Sequence, residues 1–252
     1  MKINKRLYMF FILFSSLILS VFPSDNIAKK IVKKIDELYR SKTSYSKVEM
    51  IIETHHWKRT LLMDIWTEGM KKTFIRILSP KKDKGMATLK IGNQMWNYLP
   101  KVNKIIKIPP SMMMSSWMGS DFTNDDLVKE YTFVDDYNFR LIDYKEEISE
   151  KFYYVEAVPK EGVAVVWSKI ILSVKKDNYI PVWEKYYDER GDVVRVMKFS
   201  DVKKVGKRLV PMKMEMIPLK KKGHRTIIKY LELKYDIRLK SSIFSLRNLR
   251  RN

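Results

Sequence analysis

The sequence predicts a mainly β fold, an antiparallel sheet that stacks or curls and carries a few helices. Three observations predict it. After Ser41 the apolar period changes from about 3.6 residues to 2 and stays there. Short runs of β-branched and aromatic residues then follow one another between turn signals such as Glu68-Gly69, Pro80-Lys81 and Gly92-Asn93. No helix-length segment separates them, so the connections are antiparallel. In PMKMEMIP, Met212, Met214 and Met216 point one way and Lys213 and Glu215 the other, which makes one face apolar and one wet. About a dozen such strands cannot lie flat and open; they stack as two sheets or curl into a barrel.

The chain opens with MKINKR, which carries Lys2, Lys5 and Arg6, followed by the uncharged LYMFFILFSSLILSVF at residues 7–22. A basic stretch, an apolar stretch and the Pro23-Ser24 exit read as a secretory signal peptide over residues 1–24. An uncleaved membrane anchor is the competing reading, although the apolar run of 16 residues is shorter than the ~20 that span a bilayer. No second run of that length follows, so residues 25–252 are expected to form one exported, soluble domain. Within NIAKKIVKKIDELYR, Ile27, Ile31, Ile35 and Leu38 recur at helical spacing with lysines opposite, an amphipathic helix capped at Asp25 or Asn26.

The first strand series is SKVEMIIETHHW, TLLMDIWTE, KTFIRILS, ATLKIG, QMWNYLP and KIIKIP. The second is FRLIDYKEE, KFYYVEAVP, WSKIILSVKK, VWEKYYDE, VVRVMKFSD, VPMKMEMIP and RTIIKYLELKYDI. Arg190-Gly191-Asp192 is the turn of a hairpin within the second. Between the series lies SMMMSSWMGSDFTNDDL, residues 111–127, whose three consecutive methionines and tryptophan are out of keeping with a solvated loop. Thr123 and Asp126 have capping-box spacing, so a short helix is expected over residues 125–131. A curled sheet with helices in its mouth is the simplest closure.

The chemistry is thin. Cysteine is absent, which excludes disulfides, thiol catalysis and a lipid-modified N-terminal cysteine. His55 and His56 fall in a predicted strand, where neighbours point to opposite faces and cannot share a metal; neither a metal site nor a cofactor is expected. Asp125-Asp126 and Asp135-Asp136 sit where aspartate caps helices and turns. No Gly-x-Ser-x-Gly elbow, His-Glu-x-x-His or phosphate-cradling glycine loop occurs, so nothing recommends an enzyme. The net charge of +21 is spread along the chain, and the export signal argues against nucleic acid; a lysine-rich solvated surface and attraction to an anionic membrane or an acidic partner are both open. Methionines are mostly core filler, but they also mark surfaces that bind apolar partners of variable shape.

IWTEGMKKTFIRILSPKKDKGMATLKIGNQMWNYLP resembles the LolA-like family of outer-membrane lipoprotein-sorting proteins. The resemblance is carried by Trp66, the strand from Phe74 to Leu78, Pro80, and the Gly92, Trp96, Tyr98, Pro100 segment. KVNKIIKIPPSMMMSSWMGSDFTNDDL is similar to a less characterised, methionine-rich branch, and FSLRNL resembles the family's closing segment.

The resemblance implies a half-open antiparallel β-barrel whose apolar concave face is lidded by helices. It also implies a periplasmic carrier of lipid or lipoprotein acyl chains that serves an inner-membrane transporter and an outer-membrane acceptor. On that reading Trp66, Ile75, Ile77, Trp96 and Tyr98 line the cavity, and Met112, Met113, Met114, Trp117 and Met118 belong to the lid. Arg76 matches the strand arginine that latches the lid in typical carriers, and Lys101 and Lys104 meet headgroups at the rim. The alternative is a sensor or adaptor of the same fold that reads a lipid or peptide for a membrane protein.

Overall fold

The computed structural model describes residues 23–250, apart from 40, 70, 130–132, 148 and 164; residues 1–22 of the expected signal segment lie outside the described residues. Helix α1 spans Pro23–Tyr39. Ala28, Ile31, Val32 and Ile35 form its buried stripe while Lys29, Lys30, Lys33 and Lys34 face water, as the period predicts. It starts earlier than expected: proline is well suited to the first helical position, and Asp25 and Asn26 lie within the first turn.

Among the described residues, thirteen strands follow and form one antiparallel sheet. Before the methionine-rich segment come β1 (Thr43–Glu53), β2 (Lys58–Glu68), β3 (Lys72–Ser79), β4 (Ala87–Ile91), β5 (Gln94–Leu99) and β6 (Lys104–Lys107). After it come β7 (Tyr137–Leu141), β8 (Phe152–Pro159), β9 (Lys169–Lys175), β10 (Pro181–Tyr187), β11 (Val193–Val205), β12 (Arg208–Pro218) and β13 (Arg225–Tyr235). Each expected run contains its strand core. The exceptions in detail are the end of the first run, where His55 and His56 are exposed in the turn between β1 and β2, and FRLIDYKEE, whose strand starts earlier, at Tyr137, and ends at Leu141.

In space the order runs from β6 back to β1, then from β13 back to β7. Two meanders are thus joined by the β1–β13 pairing, and the free edges, β6 and β7, are the strands on either side of the methionine-rich segment. The sheet is open, and that segment spans the gap that a closed barrel would seal. It carries a 3₁₀ turn at Pro110–Met112, helix α2 at Asn124–Lys129 and helix α3 at Phe133–Asp136.

Curling is visible in what this segment touches. Six strand steps of ~4.8 Å would put β4 and β11 about 29 Å apart in a flat sheet. Trp117 nevertheless hydrogen-bonds to β4 and Asp126 to β11, with a tight hairpin and a helical turn between them.

The sheet is apolar on both faces of its first half. Inside, Val48, Met50, Met63, Ile75, Ile77 and Met95 pack under Trp117. Outside, Trp66, Phe74, Leu89, Trp96 and Tyr98 pack against Phe244 and Leu249, which come from a 3₁₀ turn at Ser241–Phe244 and helix α4 at Leu246–Leu249. In the second half α1 covers the inner face over Phe139, Val155, Ile170 and Leu172, and an aromatic cluster of Tyr144, Tyr154 and Tyr187 covers the outer one.

Candidate functional site

Between the curled sheet, α1 and the crossing segment lies a cavity of about 380 Å³. Ligand sites of small molecules begin at roughly 300 Å³. Its floor is the inner face: Val48 and Met50 of β1, Met63 and Ile65 of β2, Ile75 of β3, and Met197 and Phe199 of β11. Val32 and Ile35 of α1 form one wall, and Trp117, Phe122 and Leu127 of the crossing segment form the cover.

The cover is shaped locally before it is attached. Trp117 N–H donates to the Phe122 carbonyl (2.8 Å), and Met118 and Gly119, both at positive φ, make the turn of a small hairpin. The expected capping box is present: Asp126 N–H donates to Thr123 Oγ1 (3.1 Å), and Thr123 N–H donates to Asp126 Oδ2 (2.8 Å). The helix it opens covers residues 124–129, one residue earlier than expected, and 130–132 lie outside the described residues.

Four polar contacts then hold the cover to four strands. Arg59 of β2 donates to the Met118 carbonyl (3.2 Å), and Trp117 Nε1 donates to Thr88 Oγ1 on β4 (3.2 Å). Asp121 N–H donates to Thr226 Oγ1 on β13 (2.9 Å), whose hydroxyl donates back to the Asp121 carboxylate (2.8 Å). On β11, Arg195 donates from Nη1 and Nη2 to the two oxygens of Asp126, at 2.9 and 2.6 Å.

The Arg195–Asp126 pair has the geometry of the strong ones: bidentate, with side chains only 7% and 19% exposed. The guanidinium lies between the rings of Trp167 and Tyr186, 4.1 and 4.2 Å from their centroids. Burial pushes the Asp126 carboxyl up, but the hydrogen bonds and charge of Arg195 and the donors of Thr123 outweigh it and hold the group below the usual carboxylate range. Burial also drives the Tyr186 hydroxyl well above its ordinary value.

The residues expected at the site fall into three groups. Ile75 and Trp117 line the cavity, and Ile77 lies beside Trp117 in the core next to it. Met113 and Met118 pack inward on that core, whereas Met112 and Met114 are each 46% exposed, because the 3₁₀ turn sends successive side chains in different directions. Trp66, Trp96 and Tyr98 do not line the cavity: with Phe74 they occupy the outer face, where the C-terminal segment covers them. Strand parity makes this unavoidable once Ile75 points inward. Arg76 is likewise on the outside, donating from Nη2 to the Asn248 carbonyl (2.5 Å) and lying 5.1 Å from the Phe74 ring centroid; it fastens α4 and not the cover. Lys101 and Lys104 are exposed near the β5–β6 turn and do not line the cavity.

Sequence reasoning missed Arg195. A signal was available: Arg195 shares the parity of Met197 and Phe199, so an arginine stands on the apolar side of β11. Among the described residues, no group of three or more His, Cys, Asp or Glu side chains is placed to hold a metal ion, and no helix is long and apolar enough to cross a membrane.

Three crystal structures share this architecture. A DUF1329 family protein from Desulfovibrio piger matches with a TM-score of 0.79 at 23% identity, over 90% of this chain and 99% of its own. A putative outer membrane lipoprotein-sorting protein domain from Vibrio parahaemolyticus matches with a TM-score of 0.77 at 20% identity, over 90% and 100%. A LolA superfamily protein from Nitrosomonas europaea matches with a TM-score of 0.72 at 20% identity, over 88% and 98%. No curated protein matches the chain. A family model described as "-like: Uncharacterized protein" matches residues 69–251, more than half of the chain; the chain therefore belongs to that family, and its fold is LolA-like.

Proposed function

We propose that the protein is a periplasmic carrier that holds lipid, or the acyl chains of lipoproteins, in the cavity and moves them toward the outer membrane. The observation that carries this reading is an apolar cavity of about 380 Å³ roofed by a segment attached through discrete polar contacts. Each methylene taken from water into the cavity contributes ~0.8 kcal/mol, enough for a few chains to be held tightly yet reversibly. The cover must lift to admit and release it, and the ligand shifts that equilibrium by its differential affinity for the open and closed forms. No covalent chemistry is required. The lysines on the solvent face of α1 supply a surface suited to anionic lipid. The reading also takes residues 1–24 as the export signal and residues 25–252 as the single working domain, with an inner-membrane donor and an outer-membrane acceptor as partners.

Native mass spectrometry of the purified protein tests this. The expected result is a lipid adduct that is lost to acceptor vesicles with its mass unchanged. A ligand-free protein that also takes up no lipid from donor vesicles would refute the proposal.

A further inference from the structure

One wall of the cavity is polar in a way that the fold does not require. Ser44 of β1 is in register with Thr67 of β2, Thr67 with Thr73 of β3, and Thr73 with Lys90 of β4. All four line the cavity, and the Ser44 and Thr67 hydroxyls are hydrogen-bonded at 2.6 Å, so the row occupies one level of the inner face. Ser44 is 5% and Lys90 4% exposed. Two residues deeper the row reads Ser46, Ile65, Ile75 and Thr88, so its two central strands turn apolar there while β1 and β4 stay polar, and beyond Ile65 and Ile75 lie Met63 and Ile77. The row stands at the end of the sheet where β2 turns into β3, and Gly69 of that turn both lines the cavity and is exposed, so the cavity reaches the surface there. On β2 and β3 the inner face is polar at the rim and apolar inside.

Burying hydroxyls and an ammonium is unfavourable unless each finds a polar partner. An inner face built only for packing would carry apolar residues at these positions, as β2 and β3 do at Ile65 and Ile75 two residues further in. Hydroxyls and an ammonium are hydrogen-bond donors, and lysine binds phosphate as a point charge. The carboxylates that line the same cavity belong to other elements: Asp125, Asp126 and Asp136 to the cover, Glu184 to β10 and Asp36 to α1. The negative charge is thus on the helices and the far wall; of the two cations that line the cavity, Arg195 on β11 is paired with Asp126, and Lys90 on β4 stands in the polar row.

Resting on the carrier reading, the geometry points to a headgroup site: Ser44, Thr67, Thr73 and Lys90 take the phosphate of an anionic lipid while its chains run inward over Ile65 and Ile75. Lys90 already makes a contact within the protein, and the phosphate exchanges with it. The source of the phosphate is the lipid head and not the free ion, because only the lipid brings chains for the apolar floor.

The test uses the delipidated full-length mature protein and two lipids with identical chains, phosphatidylglycerol and diacylglycerol, with bound lipid counted by native mass spectrometry. The wild type is expected to retain phosphatidylglycerol about tenfold better, the worth of one charged hydrogen bond. Lys90→Met should erase that preference and leave diacylglycerol unaffected, and Lys90→Arg should restore most of it. Thr73→Val, which keeps the shape and removes one hydroxyl, should lower the preference about threefold; it serves as the readout if Lys90→Met does not fold. Equal retention of both lipids by the wild type, or a preference that survives Lys90→Met, overturns the headgroup site and leaves the carrier reading standing. Retention of neither lipid by folded protein overturns both. Inorganic phosphate followed by phosphorus NMR is expected not to bind at millimolar concentration; saturable binding abolished by Lys90→Met would overturn the lipid assignment in favour of a free-phosphate site.

Discussion

Both faces of the first half of the sheet are apolar and both are covered, but they are covered differently. On the convex face Phe244 and Leu249 fill the spaces among Phe74, Leu89 and Tyr98, and Arg76 reaches a neutral carbonyl at Asn248. On the concave face the crossing segment leaves a cavity beneath it and is fastened by Arg195 to a carboxylate. Strand arginines therefore hold both covers: Arg76 the convex one, Arg59 and Arg195 the concave one. The convex one is an apolar packing contact fastened to a neutral carbonyl, whereas the concave one is held by an ion pair whose carboxylate titrates. Placing a charge pair in a wall that could be apolar favours specificity of closure over raw stability.

The largest effect on the concave cover is expected at Asp126. Asp126→Ala leaves the buried Arg195 without its counter-charge and removes the acceptor for the Thr123 N–H, the reciprocal half of the capping box, a loss of about 3–5 kcal/mol. Hydrogen exchange should show the crossing segment opening, with the convex cover still protected. Leu249→Ala is the mirror experiment. It should cost about 2–5 kcal/mol in global stability by thermal melting and leave lipid retention per folded molecule unchanged.

Acid should separate the two covers next. Asp126 titrates below its ordinary value of 3.8, so the stabilisation it provides is complete above that pH and is lost as the pH falls through the depressed value. Exchange in the crossing segment should therefore rise in that acid window, before exchange around Phe244 does. Trp117→Phe removes the indole donor to Thr88 and keeps most of the packing; a loss of about 1 kcal/mol in closure is expected, read as faster lipid release. The smallest effects belong to Met112→Ser and Met114→Ser, within about 0.5 kcal/mol by melting because both are exposed, while Met113→Ser weakens lipid retention. Equal effects at all three methionines would mean that the segment packs differently from what is described here.

Much of this architecture is legible in the sequence because it rests on local periodicity. The change of period at Ser41 and the runs of β-branched residues mark every strand, and the spacing of Thr123 and Asp126 marks the start of α2. The side to which an apolar residue points is legible only where the opposite parity is polar, as in β12. In β3 to β5 both parities are apolar because a second cover lies outside, so Trp66, Trp96 and Tyr98 read equally well as cavity or as convex core. Arg76 and Arg195 present the same difficulty: each is an arginine in an apolar strand, and its partner is far away in the chain, 172 residues for Arg76 and 69 for Arg195.

By itself the sequence determined the strand series, the amphipathic stripe of α1, the exceptional segment between the two series and the absence of thiol chemistry, all of which follow from side-chain type and near-neighbour spacing. Only the tertiary structure decided that β1 pairs with β13, that the unpaired edges are the ones flanking that segment, and that Arg195 meets Asp126 while Ser44, Thr67, Thr73 and Lys90 form one row. The physical reason is register. Pairing between distant strands sets which side chains share a level and a face, and no local pattern encodes that.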